Sequence, residues 1–375
     1  MINKILTSVI STGALTFGIT LSGSALATGP ALEKGHEYLL VANYPNNIHV
    51  IDTETDTLFK SCDLPGSFGP NTIQVAPDGK TAYILTNRYE DIYGIELDTC
   101  EVTFHAPMAL KAGERTKSIF SIAISPDGEE LYTVQNPTLL FRDHYEVQPP
   151  RLAVYDTNSG SNAKPVRIFP APRQISVMMT ADDGTLYMAG PDIYKVDVET
   201  GKKEVAIASR NWDRPSYAPP DVLYVWPTRS PSNDFTILYT TAKFQDESRD
   251  LNTADWLYGY MNIDLETGET KTQDFGELVE IYFTGMRHPK DDNIVFGVLN
   301  RLAKYDVEKQ ELIGVAELEH TYYSVAINHA GSKIYLSGAW SDVAVYDSET
   351  MEQIGQVQLP AGGDMALSNP QIFIR

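Results

Sequence analysis

The chain has 375 residues and carries 29 lysines and arginines against 50 aspartates and glutamates, a net charge of −21. So acidic a surface repels phosphate backbones, which argues against nucleic acid as a partner; it favours solubility and could steer a basic protein.

In chain order, Lys4 is the only charged side chain before Glu33, and Leu6, Val9, Ile10, Leu15, Phe17, Ile19 and Leu21 lie between them. Ala25-Leu26-Ala27 then offers small residues to a signal peptidase. Residues 1–27 therefore read as a secretory signal peptide, cleaved before Thr28, and residues 28–375 as one exported domain. A membrane anchor would need about 20 strongly apolar residues, and Gly, Ser and Thr interrupt this stretch. No later segment reads as a membrane span.

From residue 37 onward the chain repeats itself. Short apolar runs end at an aspartate followed by turn residues, as in IYLSGAWSDVAVYDSET (334–350), and the same anchor recurs at Asp52, Asp98, Asp156, Asp197, Asp264, Asp306 and Asp347. Successive intervals are 46, 58, 41, 67, 42 and 41 residues. A base period of about 41 residues suits a four-stranded propeller blade, and Asp suits the turn because its carboxylate can accept a backbone N–H two residues on. A second signature, an apolar strand and an Asp-Gly-type turn, occurs in TIQVAPDGKTAYILT (72–86) and SIAISPDGEELYTV (121–134), and more loosely in later copies. The spacing predicts an all-β fold, a seven-bladed β-propeller of four-stranded antiparallel blades. EYLLVAN (37–43) is a second strand without a first, and MALSNPQIFIR (365–375) is a first strand and little more. Pairing them closes the ring and removes exposed edges.

Strand direction alternates, so the Asp-Gly and Asp-anchor turns share one face. The other face receives the remaining connections, including the long insertions 136–150, 210–221 and 244–256, which are expected to be irregular loops and to form the working surface. Cys100 follows Asp98 by two residues and Cys62 follows Asp52 by ten. At about 3.3 Å per strand residue this places them near opposite edges of their blades, so two unpaired thiols are expected.

Motifs for chemistry are scarce. There is no Cys-x-x-Cys-His for c-type haem, no phosphate loop and no Gly-x-Ser-x-Gly elbow, and the seven histidines form no ligand pair at recognised spacing. No catalytic, cofactor-binding or metal-ligating residue is assigned. The anchor aspartates have a structural role, while Asp143, Glu146, Asp250 and Asp255 lie in long loops and are freer. Phe68, Phe120, Arg173, Tyr217, Tyr282, Tyr322 and Tyr323 fall in the entries to the inner strands. There they are expected to ring the channel mouth and line a partner interface or cavity.

HYEVQPPRLAVYD (144–156), APRQISVM (171–178), SYAPPDVLYVW (216–226), HTYYSVAI (320–327) and GQVQLP (355–360) resemble the β subunit of bacterial quinohemoprotein amine dehydrogenase. The resemblance implies a periplasmic heterotrimer. In it an α subunit carries haem c, a γ subunit carries cysteine tryptophylquinone, and this propeller holds the γ subunit and helps wall the cavity. Primary amines would be oxidised to aldehydes, and a soluble redox protein would accept the electrons. This chain would hold no cofactor and would not itself be catalytic. Alternatives are the heavy subunit of a methylamine or aromatic amine dehydrogenase, which typically brings a disulfide, and a stand-alone lactonase-like or surface-repeat propeller.

Overall fold

The computed structural model describes residues 29–66, 69–222, 231–360, 362–365 and 368–375. The signal stretch 1–27, Phe68 and most of VLYVW lie outside the described residues. Among those described, no helix is long and apolar enough to cross a membrane.

Seven antiparallel sheets stand in a ring. Blade 1 is the closing blade: the C-terminal strand Gln371–Ile374 is innermost, followed outward by Glu37–Asn43, Asn47–Asp52 and Thr57–Asp63. Its closure is antiparallel, with Tyr38 opposite Phe373 and Leu39 opposite Ile372. Blades 2 to 7 follow in sequence, each laid down from the inner strand outward. The strand Glu37–Asn43 shows why this sequence makes blades. Successive side chains point to opposite faces of a strand. Tyr38, Leu40 and Ala42 therefore pack against blade 2, while Leu39 and Val41 pack against blade 7. A strand buried on both faces reads as a continuous apolar run, and each such side chain contributes about 1.5–3 kcal/mol.

The turns beside the anchors form a regular series with one correction. In each turn the residue four after the anchor has positive φ: Asp56, Gly160, Gly201, Gly268, Gln310 and Met351. Asp52, Asp156, Asp197, Asp264 and Asp347 each accept the amide two residues on, and Asp306 accepts that of Lys309. In blade 2, however, the residue at the anchor position is Glu96. Its amide bonds the Glu101 carbonyl, its carbonyl accepts from Cys100, and its carboxylate accepts the Thr99 amide. Asp98 is thereby freed for another task, and Cys100 takes the positive-φ position at 62°.

That task is to hold the ring shut. The Asp98 carboxylate accepts the Leu32 amide from the N-terminal segment at 2.8 Å and the Arg375 guanidinium from the C-terminus. The Arg375 hydrogen bond, more than any other influence, keeps the Asp98 carboxyl below the usual carboxylate range. Lys60 of blade 1 donates to the Asp98 carbonyl at 2.6 Å. Beside it, Cys62 and Cys100 form a disulfide with Cα atoms 5.3 Å apart. The expectation of two free thiols is therefore wrong. It placed both cysteines along parallel strand axes, but adjacent strands rotate by about 20–25°, so four strands accumulate roughly 60–75°. The far half of the outer strand Thr57–Asp63 meets the turn of the next blade.

The insertions are also more regular than expected. Residues Asn136–Leu140 continue the strand Glu130–Leu140 of blade 3 and pair with Glu114–Lys117 on one side and Tyr145–Val147 on the other. In blade 5 the hairpin Asp234–Lys243 and Asp255–Asp264 rises for ten residues on each strand.

Candidate functional site

The long-loop face is where apolar rings meet solvent. Among the described residues, every strongly exposed aromatic side chain (Tyr44, Phe141, Tyr145, Trp256 and Trp340) sits in or beside its connections. Trp340 is 63% exposed, and Ile281 is 65% exposed. Exposed apolar residues elsewhere, such as Val205 and Ile354 on outer strands, are aliphatic. Aromatic enrichment on one face is a mark of interfaces.

Buried polar clusters brace the loops of this face. Residues 210–221 are pinned through Arg214, whose guanidinium makes a two-pronged bond to Asp274 at 2.9 and 2.7 Å. The Tyr239 and Tyr217 hydroxyls donate to the same carboxylate at 2.6 and 2.8 Å. Burial works to raise the Asp274 carboxyl, but the bonds from Arg214, Tyr239 and Tyr217 outweigh it and hold it below the usual range. Arg214 also lies 3.8 Å from the Tyr217 ring centroid, and the Trp212 indole donates to the Ala218 carbonyl. Beneath the blade 3 extension, Glu114 accepts from Arg151 and Thr116, each at 2.6 Å. On blade 7, Asp342 is buried and accepts from Tyr322, Gln356 and His320. The His320 ring stacks on Trp340, with centroids 4.7 Å apart and planes 7° apart.

Beside the blade 5 hairpin lies a cleft of about 360 Å³ between blades 5 and 6. Its walls are the rings of Tyr258 and Tyr282 with Leu238 and Leu278, while the Tyr239 ring packs on the other face of blade 5; Trp256 and Ile281 lie nearer solvent, and Asp221 is the lining carboxylate. Two glycines make room for the rings. A Cβ on Gly259 would lie 2.1 Å from the Tyr239 ring, and one on Gly297 would lie 2.7 Å from that of Tyr282.

The candidate residues divide. Tyr282 and Tyr322 are buried between blades, hydrogen-bonded to Tyr305 and Asp342. Burial comes first in raising both phenols. They support the face from beneath, and Tyr322→Ala could not leave the fold untouched. Phe120 and Tyr323 are half-buried and contact Tyr89 and Phe283. Arg173 is exposed and donates to the Gln148 carbonyl, and Tyr217 belongs to the Asp274 cluster. These positions are distributed around the ring instead of forming one site. Trp256 and Trp340 lie in connections between later strands, away from the inner-strand entries, and Ile281 stands in such an entry but is aliphatic, so none was among the expected residues. An apolar ring at the tip of a connection between polar neighbours, as in GAWSD (338–342), is the signal that could have found Trp340.

No protein-family model matches the chain, and no curated protein matches it. Solved structures do. Apo AztD from Citrobacter koseri superposes with a TM-score of 0.51 at 10% identity, over 90% of this chain and 98% of that one. Kuenenia stuttgartiensis hydrazine synthase gives 0.55 at 13% identity, over 92% and 99%. The dihydro-heme d1 dehydrogenase NirN, solved with DHE, gives 0.54 at 14%, over 92% and 77%. At such identities the shared property is the propeller fold. None of these is a quinohemoprotein amine dehydrogenase, and the resemblance drawn to that family's β subunit is overturned. The segments that carried it contain propeller strands: Arg151–Asp156, Ser324–Ile327 and most of Gln353–Gln358. Haem c, cysteine tryptophylquinone, the α and γ subunits, the amine and the redox protein were implied by that resemblance alone. The disulfide is a feature of the heavy-subunit alternative, yet no comparison adds support for it. The chain is, by its architecture, a seven-bladed β-propeller that shares its fold with these structures.

Proposed function

We propose that this chain is an exported scaffold that binds a partner protein on its long-loop face and contributes no catalytic group of its own. The observation that carries the reading is that, among the described residues, the strongly exposed aromatic side chains are confined to that face. Aromatic anchors held rigidly are what tight protein contacts use, and the Arg214–Asp274 and His320–Asp342 clusters provide the rigidity. The opposite face is committed to its turns. The N-terminal signal stretch supports export, and the Cys62–Cys100 disulfide fits an oxidising compartment such as the periplasm.

The test is affinity purification of the full-length chain after crosslinking in its native host. Trp340→Asp with Trp256→Asp is compared with Glu349→Arg on the Asp-turn face. One protein species should co-purify in fixed ratio with the wild type and with Glu349→Arg, and be lost with the tryptophan variant. A lone chain, or equal loss in both variants, overturns the reading. Mass spectrometry of the purified chain should find Thr28 at its N-terminus; retention of residues 1–27 would refute cleavage.

A further inference from the structure

The cleft between blades 5 and 6 has a chemistry more specific than a greasy depression. Two tyrosines, Tyr258 and Tyr282, wall it, yet their polar ends are engaged elsewhere. The Tyr282 and Tyr305 hydroxyls share a bond of 2.8 Å, and the Tyr258 hydroxyl accepts the Tyr282 amide at 2.8 Å. The cleft therefore presents ring faces, together with Leu238, Leu278 and Phe283. These surfaces pack closely: Tyr258 and Tyr282 contact each other with centroids 5.0 Å apart, and the Tyr282 ring occupies space that a Cβ on Gly297 would enter at 2.7 Å. A volume of about 360 Å³ accommodates one planar aromatic group. The cleft is continuous with exposed Trp256, Val279 and Ile281. Asp221, exposed at the rim, places a negative charge where the occupant's neighbour would lie.

We propose that this cleft receives one aromatic side chain of the partner protein, presented beside a lysine or arginine that pairs with Asp221. The inference rests on the partner-binding reading above. Charge complementarity selects the occupant, since the chain is strongly acidic and the cleft's ionisable lining group is a carboxylate. A buried aromatic anchor flanked by a polar pairing is the usual construction of an interface hot spot.

The test uses the full chain and the peptides Lys-Trp-Lys, Glu-Trp-Glu and Lys-Ala-Lys, with indole as the small-molecule probe, followed by calorimetry and by line broadening of the probe's resonances. Lys-Trp-Lys should bind, Glu-Trp-Glu about threefold more weakly, and Lys-Ala-Lys not at all. Trp256→Ala and Ile281→Asp, both at exposed positions, should each lower Lys-Trp-Lys affinity about tenfold. Asp221→Asn should abolish the difference between the two charged peptides. Indole binding as tightly as Lys-Trp-Lys, with no sensitivity to Asp221, would overturn the proposal and assign the cleft to a small apolar ligand. No binding by any peptide would also overturn it. If a partner is still captured and lost with Trp340→Asp alone, docking occurs elsewhere on the same face; if no partner is captured, the broader reading fails as well.

Discussion

Opening the Cys62–Cys100 disulfide tests how the ring is held together. The bond spans 38 residues of sequence and joins the closing blade to its neighbour. Loop-closure entropy for a cross-link of that span corresponds to about 4 kcal/mol at 25 °C. For a domain of about 345 residues this lowers Tm by roughly 5 °C, given unfolding entropies of about 2.1 cal/mol/K per residue. Reduction is a cleaner perturbation than substitution, because Cys62 is 2% exposed and serine there would bury a hydroxyl. The native fold should survive, since Arg375, Leu32 and Lys60 still hold the Glu96–Cys100 turn. The assay is equilibrium urea unfolding with and without reductant, alongside thiol alkylation under denaturing, non-reducing conditions. Two labelled thiols before reduction would refute the disulfide itself. A stability change under about 1 kcal/mol would refute the idea that it constrains the unfolded chain.

Three further outcomes follow from buried charge and polarity. His49 is buried between Asn43 and Ser61, and burial pulls its pKa down to about 4. Its folded pKa lies below the unfolded value near 6.5, so the unfolded state takes up the proton first as pH falls. The wild type should thus lose about 2 kcal/mol between pH 7 and pH 5, and His49→Gln should flatten that limb in pH-dependent urea titrations. Asp98→Asn should remove the Arg375 ion pair, costing about 1 kcal/mol at pH 7. Because the Asp98 carboxyl is held below its ordinary value, its contribution is full above the unfolded pKa and fades as pH falls through the folded one. The variant's deficit should therefore vanish in strong acid. Asp274→Asn leaves Arg214 and two phenols facing an amide, which should cost about 3 kcal/mol and speed amide hydrogen exchange across residues 210–221; unchanged exchange would show that the cluster does not pin this segment.

The ring was legible in the sequence because its determinants are local. An anchor carboxylate, a positive-φ residue four positions later and alternating apolar strands all lie within about ten residues of one another, and each blade repeats them. Even so, the local rule misread blade 2. Asp98 resembled the other anchors by residue type, while the backbone pattern assigns the position to Glu96. The disulfide was missed for a non-local reason, since sheet twist accumulates across four strands and is invisible to counting along one. The long connections were legible as sharing one face, but the braces of that face join residues far apart: Arg214 and Asp274 are separated by 60 positions and Glu114 and Arg151 by 37. No short window contains both partners. The family resemblance failed because strands of a propeller constrain residue type by burial alone, so unrelated propellers converge on similar short runs.

Trp340 shows how the two faces differ in what they stabilise. It combines 63% exposure with a φ of 53°, a backbone region costly for a large side chain. Such a conformation persists only where surrounding contacts over-determine it. Here the Asp364 carboxylate accepts the Trp340 amide at 3.0 Å, the Trp340 carbonyl accepts from Met365, and His320 stacks on the indole while bonded to buried Asp342. On the Asp-turn face the positive-φ residues lie in a repeated hydrogen-bonded turn, and each turn closes a blade. Nothing in ring closure calls for an exposed indole in that geometry. The contacts around Trp340 instead fix one orientation of a side chain whose outer face meets only solvent. Preorganisation of that kind lowers the ordering cost of binding, which is what the proposed contact with a partner would draw on.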